Sequence, residues 1–142
     1  MGSLKKILVV DDETGIRCLL SELLASKGFA VTMAKDGQDS LDLLGETDFD
    51  LVITDIHMPR LDGIEMLRHM QEAGRKEKVI IMTGDLSDGR LSGVQMPQVI
   101  SRLQKPFRLD YLLNLVNAAV SRDGVGYMLE PQCQVVVNTL PF

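Results

Sequence analysis

The chain has 142 residues, 45% of them apolar, and a formal net charge of −5. That is enough to bury a core but leaves room for only one ordinary domain. The acidic balance argues against direct binding of nucleic acid, and no apolar run reaches the roughly 18 residues that a membrane span needs.

The opening residues, Met1-Gly2-Ser3-Leu4-Lys5-Lys6, lack the apolar core of a secretory signal. Ile7-Leu8-Val9-Val10 follows as a short, unalternated apolar run that stops at Asp11-Asp12. Ile16, Leu19, Leu20, Leu23 and Leu24 then recur with helical period, leaving Arg17, Ser21, Glu22 and Lys27 for a wet face. Phe29-Ala30-Val31-Thr32-Met33 is a less continuous strand, suited to a sheet edge. Leu51-Val52-Ile53-Thr54 stops at Asp55, with Asp62-Gly63 opening another helix. Val79-Ile80-Ile81-Met82 stops at Thr83, and Val99-Ile100-Ser101-Arg102-Leu103 runs out just before Lys105. A last helix is expected from Phe107 to Val120.

Continuous apolar runs indicate parallel strands covered on both faces. Strands alternating with helices through right-handed crossovers then give an open α/β fold, a doubly wound five-stranded parallel sheet with helices on both faces, expected in the order 2-1-3-4-5. Ligands of such sheets bind beyond the carboxyl ends of the strands, where the strand order reverses, here between the first and third. Asp11, Asp12 and Asp55 are therefore expected to converge there, with Thr83 and Lys105 arriving from neighbouring strands.

Three converging carboxylates take up a proton or hold a cation. Oxygen-only ligands in an incomplete cage favour Mg²⁺. A metal-loaded acid pocket with an ammonium and a hydroxyl suits a phosphoryl group. No nucleotide-binding glycine loop is present, so the chain is expected to take a phosphoryl group rather than bind a nucleotide. Taken singly, each residue has a plainer explanation. Asp11 and Asp12 could cap a helix, Asp55 could end a strand before Pro59, Thr83-Gly84 could be a turn, and Lys105 could be a solvated lysine before a proline.

Jointly, Asp11-Asp12-Glu13, Asp55-Ile56-His57-Met58-Pro59 running into Leu61-Asp62-Gly63, Thr83-Gly84 and Lys105-Pro106-Phe107 resemble the receiver domain of two-component response regulators. The resemblance covers about residues 4–122. It implies Asp55 as phosphoacceptor, served by a histidine kinase or histidine phosphotransfer protein. It also implies Mg²⁺ held by Asp12, Asp55 and the backbone carbonyl of His57, with Asp11 acting mainly through a metal-bound water. Thr83 and Lys105 would contact the phosphoryl oxygens, and Lys105-Pro106 would be cis. Such a domain is not a turnover enzyme; it catalyses only its own phosphorylation and dephosphorylation. The alternatives are a pseudo-receiver acting as a constitutive binding module and a metal-dependent phosphatase. The latter would want an acid where His57 stands.

The sequence departs from the family pattern in two places. Arg102 occupies the position of the usual aromatic switch residue, where it would either pair with an acid of a partner or lie solvated. The stretch from Gly84 to Pro97 carries Gly84, Gly89, Gly93 and Pro97, so the fourth helix should be short or irregular. His57 and Asp85, two residues past Asp55 and Thr83, are expected to influence the lifetime of the phosphorylated state. The tail 123–142 holds an apolar stretch, Gln134-Val135-Val136-Val137-Asn138, that could pair with a sheet edge, make a homodimer contact or be the stub of an output region. Cys18 and Cys133 show neither metal nor redox spacing, so both are expected to pack as small hydrophobes in a cytoplasmic protein.

Overall fold

The computed structural model describes residues 4–94 and 96–121. Its elements are β1 (Lys6–Val10), α1 (Thr14–Ser26), β2 (Ala30–Ala34), α2 (Gly37–Leu44), β3 (Leu51–Asp55), α3 (Gly63–Glu72), β4 (Lys78–Thr83), a 3-10 turn (Gly89–Gly93), β5 (Val99–Gln104) and α4 (Leu109–Val120). The five strands form one parallel sheet of order β2-β1-β3-β4-β5, as the apolar runs predict. None of the described helices is long and apolar enough to cross a membrane.

Successive strand residues face opposite sides of the sheet. Leu8, Val10, Val52, Val79 and Ile81 meet Leu44, Met66, Leu67 and Met70 on one side. Ile7, Val9, Leu51, Ile53, Ile80 and Met82 meet Leu20, Leu24, Leu112, Leu115 and Val116 on the other. Every residue of β3 is buried, because both neighbouring strands and both helical layers cover it. This is why the central runs show no polar alternation.

The described residues of the fourth crossover contain no α-helix, only the 3-10 turn, in line with the glycine and proline content of 84–97. Leu91 and Met96 fill the place a helical face would take, buried against the same cluster as α3. Arg102 is not the solvated residue allowed for above: its guanidinium donates to the backbone carbonyl of Leu91 at 3.1 Å, fastening β5 to the turn. A second correction concerns Cys18, which is exposed. Ile16, Leu20 and Leu24 define the buried line of α1, and two residues of helix turn Cys18 by about 200° from Ile16. Cys133 and the apolar stretch 134–138 lie outside the described residues.

The loop between β3 and α3 is tied to the start of α2. Arg60 is the one described non-glycine residue with positive φ, 65°. Its guanidinium makes two hydrogen bonds to buried Asp36, at 2.7 and 3.0 Å, and Asp36 in turn caps α2 by accepting from the Asp39 N–H. The Gly37 N–H donates to the Leu61 carbonyl at 2.9 Å. The side-chain hydrogen bonds from Arg60 hold the Asp36 carboxyl below its usual range, burial opposing them. A lowered folded pKa adds stability above the unfolded value near 4, and that contribution is lost as pH falls through the folded value. Asp36→Asn should therefore cost about 1–3 kcal/mol at pH 7, discounted for the solvent around Arg60. Urea unfolding should show the gap from wild type shrinking as pH falls below the unfolded carboxyl range and through the lowered folded one. A gap that does not change with pH would mean that the pair's charge contributes nothing.

Candidate functional site

β1 and β3 are adjacent in the sheet, and their carboxyl ends deliver Asp11 and Asp55 to one crevice. One oxygen from each of Asp11, Asp12 and Asp55 can be chosen so that all three lie within 4.8 Å of one another. Asp11 and Asp55 are buried, whereas Asp12 faces solvent. Lys105 enters from the end of β5, its N–H donating to the Thr83 carbonyl at 2.7 Å. Its ammonium lies 2.8 Å from Asp11 Oδ2 and 3.0 Å from Asp55 Oδ2. Glu13 Oε1 is 3.7 Å away, a neighbour that spacing alone did not single out.

The backbone fixes the remaining oxygens. Asp11 Oδ1 accepts from the Glu13 N–H at 2.9 Å, and Asp55 Oδ1 accepts from the Ile56 N–H at 2.7 Å. Arg17 donates to the Asp11 carbonyl at 2.6 Å, pinning the β1–α1 corner from within α1. At the other end of the loop, Gly63 N–H bonds the Ile56 carbonyl at 2.8 Å, and the glycine lies so close to Asp55 that a Cβ would overlap its carbonyl oxygen. Asp62 and Glu65 cap the following helix reciprocally.

Burial pushes the Asp11 carboxyl above its ordinary range, and the hydrogen bond and charge of Lys105 only partly offset this. Burial alone would lower the Lys105 ammonium, but Asp11 and Asp55 together hold it above its usual value. One cation thus serves two buried acids, and the pocket is short of positive charge. An all-oxygen donor set in this state fits a hard divalent ion such as Mg²⁺.

Two of the residues picked out by sequence are turned elsewhere. Thr83 is buried at the end of β4, and its hydroxyl accepts from the Asp85 N–H at 3.1 Å within its own loop. The His57 side chain points away to Asp88 and Arg90 of the fourth crossover, at 3.2 and 3.4 Å. Asp85 is occupied locally, its carboxylate accepting from the N–H and hydroxyl of Ser87. Lys105-Pro106 is cis, as the family resemblance implies.

The sequence pattern of the response regulator receiver domain matches residues 7–117, most of the chain. The chain belongs to this family. Among curated relatives, this receiver domain is 36% identical over 126 residues to response regulator MprA of Mycolicibacterium vanbaalenii, covering 85% of this chain and 54% of that protein. It is also 36% identical over 115 residues to sporulation initiation phosphotransferase F of Bacillus subtilis, covering 79% and 90% of the two chains. The receiver domain thus spans about half the length of MprA and most of the length of the Bacillus protein. Among solved structures, response regulator TrrA of Thermotoga maritima, in complex with Mg²⁺–BeF, aligns with TM-score 0.71 at 32% identity, over 82% of this chain and 99% of that one. The receiver domain of an HD domain-containing protein from Pseudomonas fluorescens Pf-5 aligns with TM-score 0.77 at 27% identity, over 83% and 95%.

Proposed function

We propose that this receiver domain accepts a phosphoryl group on Asp55 from a histidine kinase or histidine phosphotransfer protein, in a Mg²⁺-dependent reaction, and signals by the change of conformation that follows. The observation that carries the proposal is the single ammonium of Lys105 shared between Asp11 and Asp55, with Asp12 beside them. Asp12, Asp55 and the backbone carbonyl of His57 would hold the ion, Asp11 acting through its water. The complex of TrrA with Mg²⁺–BeF supports this by analogy.

In the reaction, a carboxylate oxygen of Asp55 bonds to phosphorus while the phosphorus–nitrogen bond of the donor phosphohistidine breaks, its electron pair staying on the imidazole. An ion held by Asp12, Asp55 and the His57 carbonyl would supply positive charge for the phosphoryl oxygens. Lys105 keeps its ammonium at the same place, trading a carboxylate partner for a phosphoryl oxygen. Thr83 must leave the Asp85 N–H to reach the phosphoryl group, so β4 and the crossover after it respond to phosphorylation. A switch from mostly off to mostly on requires about 5.5 kcal/mol of differential stabilisation, which several charge-assisted contacts to a dianion can supply. Residues 4–122 would form the switching unit, with 123–142 as a separate tail, acting in the cytoplasm and without contacting nucleic acid or membrane.

Incubating the chain with Mg²⁺ and a small phosphodonor should add the mass of one phosphoryl group, and chelating the ion should prevent it. Arg102 at the aromatic switch position favours a second reading, a constitutive protein-binding module. Mg²⁺ binding without any gain in mass would select that reading.

A further inference from the structure

Among the described residues α3 has a helical neighbour on one flank only. α2 packs along it on the side of β1, whereas toward β5 it meets the 3-10 turn, with Val94 and Met96 after it. Between α3 and this turn runs a groove of about 290 Å³. Ile64 and Leu67 of α3 and Val94 and Met96 of the crossover give it an apolar floor. Pockets that enclose a whole small molecule start at about 300 Å³, so this one suits apolar side chains entering from outside.

The wall opposite α3 is largely bare main chain. Gly89 and Gly93 both line the groove, and a Cβ added to either would meet nothing within 4 Å. Helices pack with their axes about 8–10 Å apart, and a wall without side chains lets another backbone come that close. The glycines that deny this crossover a helix of its own thus leave room for one from elsewhere.

The rim carries positive charge. Arg68 and Arg90 line the groove and no acid does. Arg90 is paired with Asp62 and Asp88, but Arg68 is exposed and makes no hydrogen bond or ion pair with a described residue. Glu65, one turn before it, is drawn the other way, to the Asp62 N–H at 3.5 Å. In a chain of net charge −5 this leaves an uncompensated cation beside an apolar slot.

We propose that the groove between α3 and the fourth crossover receives an amphipathic helix of a partner protein, with its apolar side chains in the slot and an acid of the same helix on Arg68. The mode is that of a helix laid into a groove, the apolar anchors supplying affinity and the charge pair setting orientation. A second copy of this chain is a poor donor, because α1 to α4 all bury their apolar faces against their own sheet. Docking here needs no phosphoryl group on Asp55, so it holds or fails apart from the reading above.

The probe is a displayed library of helical peptides of about 16 residues, long enough to hold some helix alone, selected on the full chain. Leucine is fixed at i, i+3, i+4 and i+7 and the other positions vary. Enriched peptides should carry acids beside the leucine stripe. They should shift the amide NMR signals of Ile64, Leu67, Gly89 and Gly93 rather than those of Asp55 or Lys105. Arg68→Glu, which reverses the charge, and Gly93→Leu, which fills the wall, should each weaken their binding about tenfold. Both variants should unfold in urea as the wild type does, since Arg68 is exposed and the space at Gly93 is open. Enrichment of basic peptides, signals shifted elsewhere, affinities untouched by both substitutions, or a library without any groove binder would each overturn the proposal. Dimerisation of the chain that Gly93→Leu abolishes would assign the groove to a second copy and overturn it equally.

Discussion

Asp55→Asn should fold as the wild type does, bind Mg²⁺ more weakly and gain no phosphoryl group. Asparagine keeps the shape of the side chain, and its one carbonyl oxygen can still accept from the Ile56 N–H as Asp55 Oδ1 does, while Lys105, which bonds Oδ2, loses that acceptor and keeps Asp11. What asparagine lacks is the anionic oxygen that must attack phosphorus, and no positioning by the rest of the pocket replaces a missing nucleophile. Stability should stay level or rise slightly, since one of the two buried acids sharing a single ammonium is gone. Intact mass after incubation with Mg²⁺ and phosphodonor reads the loss, and urea unfolding confirms the fold. Undiminished phosphorylation of the variant would place the acceptor elsewhere, with Asp11 and Asp12 the nearest acids.

Gly63→Ala should be as damaging to the site without touching any charged group. The new methyl would overlap the Asp55 carbonyl oxygen and lie 2.9 Å from the Ile56 Cα, and both neighbours are backbone of the loop that carries the acceptor. Neither can rotate away as a side chain would, so the start of α3 must retreat or Asp55 must shift. Overpacking of this kind costs about 1–3 kcal/mol. The Gly63 N–H bond to the Ile56 carbonyl and the reciprocal cap between Asp62 and Glu65 are strained with it. Phosphorylation should slow in the fraction that remains folded, because the attacking oxygen depends on the same backbone. Gly15→Ala makes the comparison: a Cβ there meets nothing within 4 Å, so alanine should leave stability level or raise it by up to about 1 kcal/mol in the first turn of α1. Equal stability losses in the two variants would show that glycine is not needed for close approach at position 63.

The parts of this molecule visible in the sequence are those where one chemical property changes abruptly along the chain. β1, β3 and β4 are apolar on both faces and stop at acids or a hydroxyl, so the runs announce the buried strands and their last residues announce the crevice. The order 2-1-3-4-5, one of the orders compatible with right-handed crossovers, places Asp11 beside Asp55. The polar ties between loops are invisible at that level. Arg60 and Asp36 are 24 positions apart, and Arg90 and His57 are 33 apart. Nothing in their spacing relates them until the fold sets the β3–α3 loop against α2 and the fourth crossover. Arg102 was visible as a departure, but its partner is a backbone carbonyl, which carries no sequence signal. Thr83 stands out in the sequence as the hydroxyl that ends an apolar run, while the turn of that hydroxyl toward the Asp85 N–H depends on the geometry of a two-residue loop. Cys18 shows the reverse error: its residue type suggests burial, and only helical phase shows that it faces away from the core.

Asp11, Asp55 and Thr83 end strands that have neighbours on both sides, whereas Lys105 follows β5, which among the described residues pairs on one side alone. Local opening of a folded protein begins where few contacts must be broken, at edges and irregular connections. Among the described residues β5 is such an edge, and the turn-bearing crossover before it shows no α-helix to hold it down. Fluctuations of the native state would therefore withdraw the ammonium first and leave the acids in place, with their mutual repulsion no longer compensated. Such partly opened molecules would keep Asp11 and Asp55 while losing the cation that steadies them, so the rigidity of one edge strand sets how often the pocket is complete.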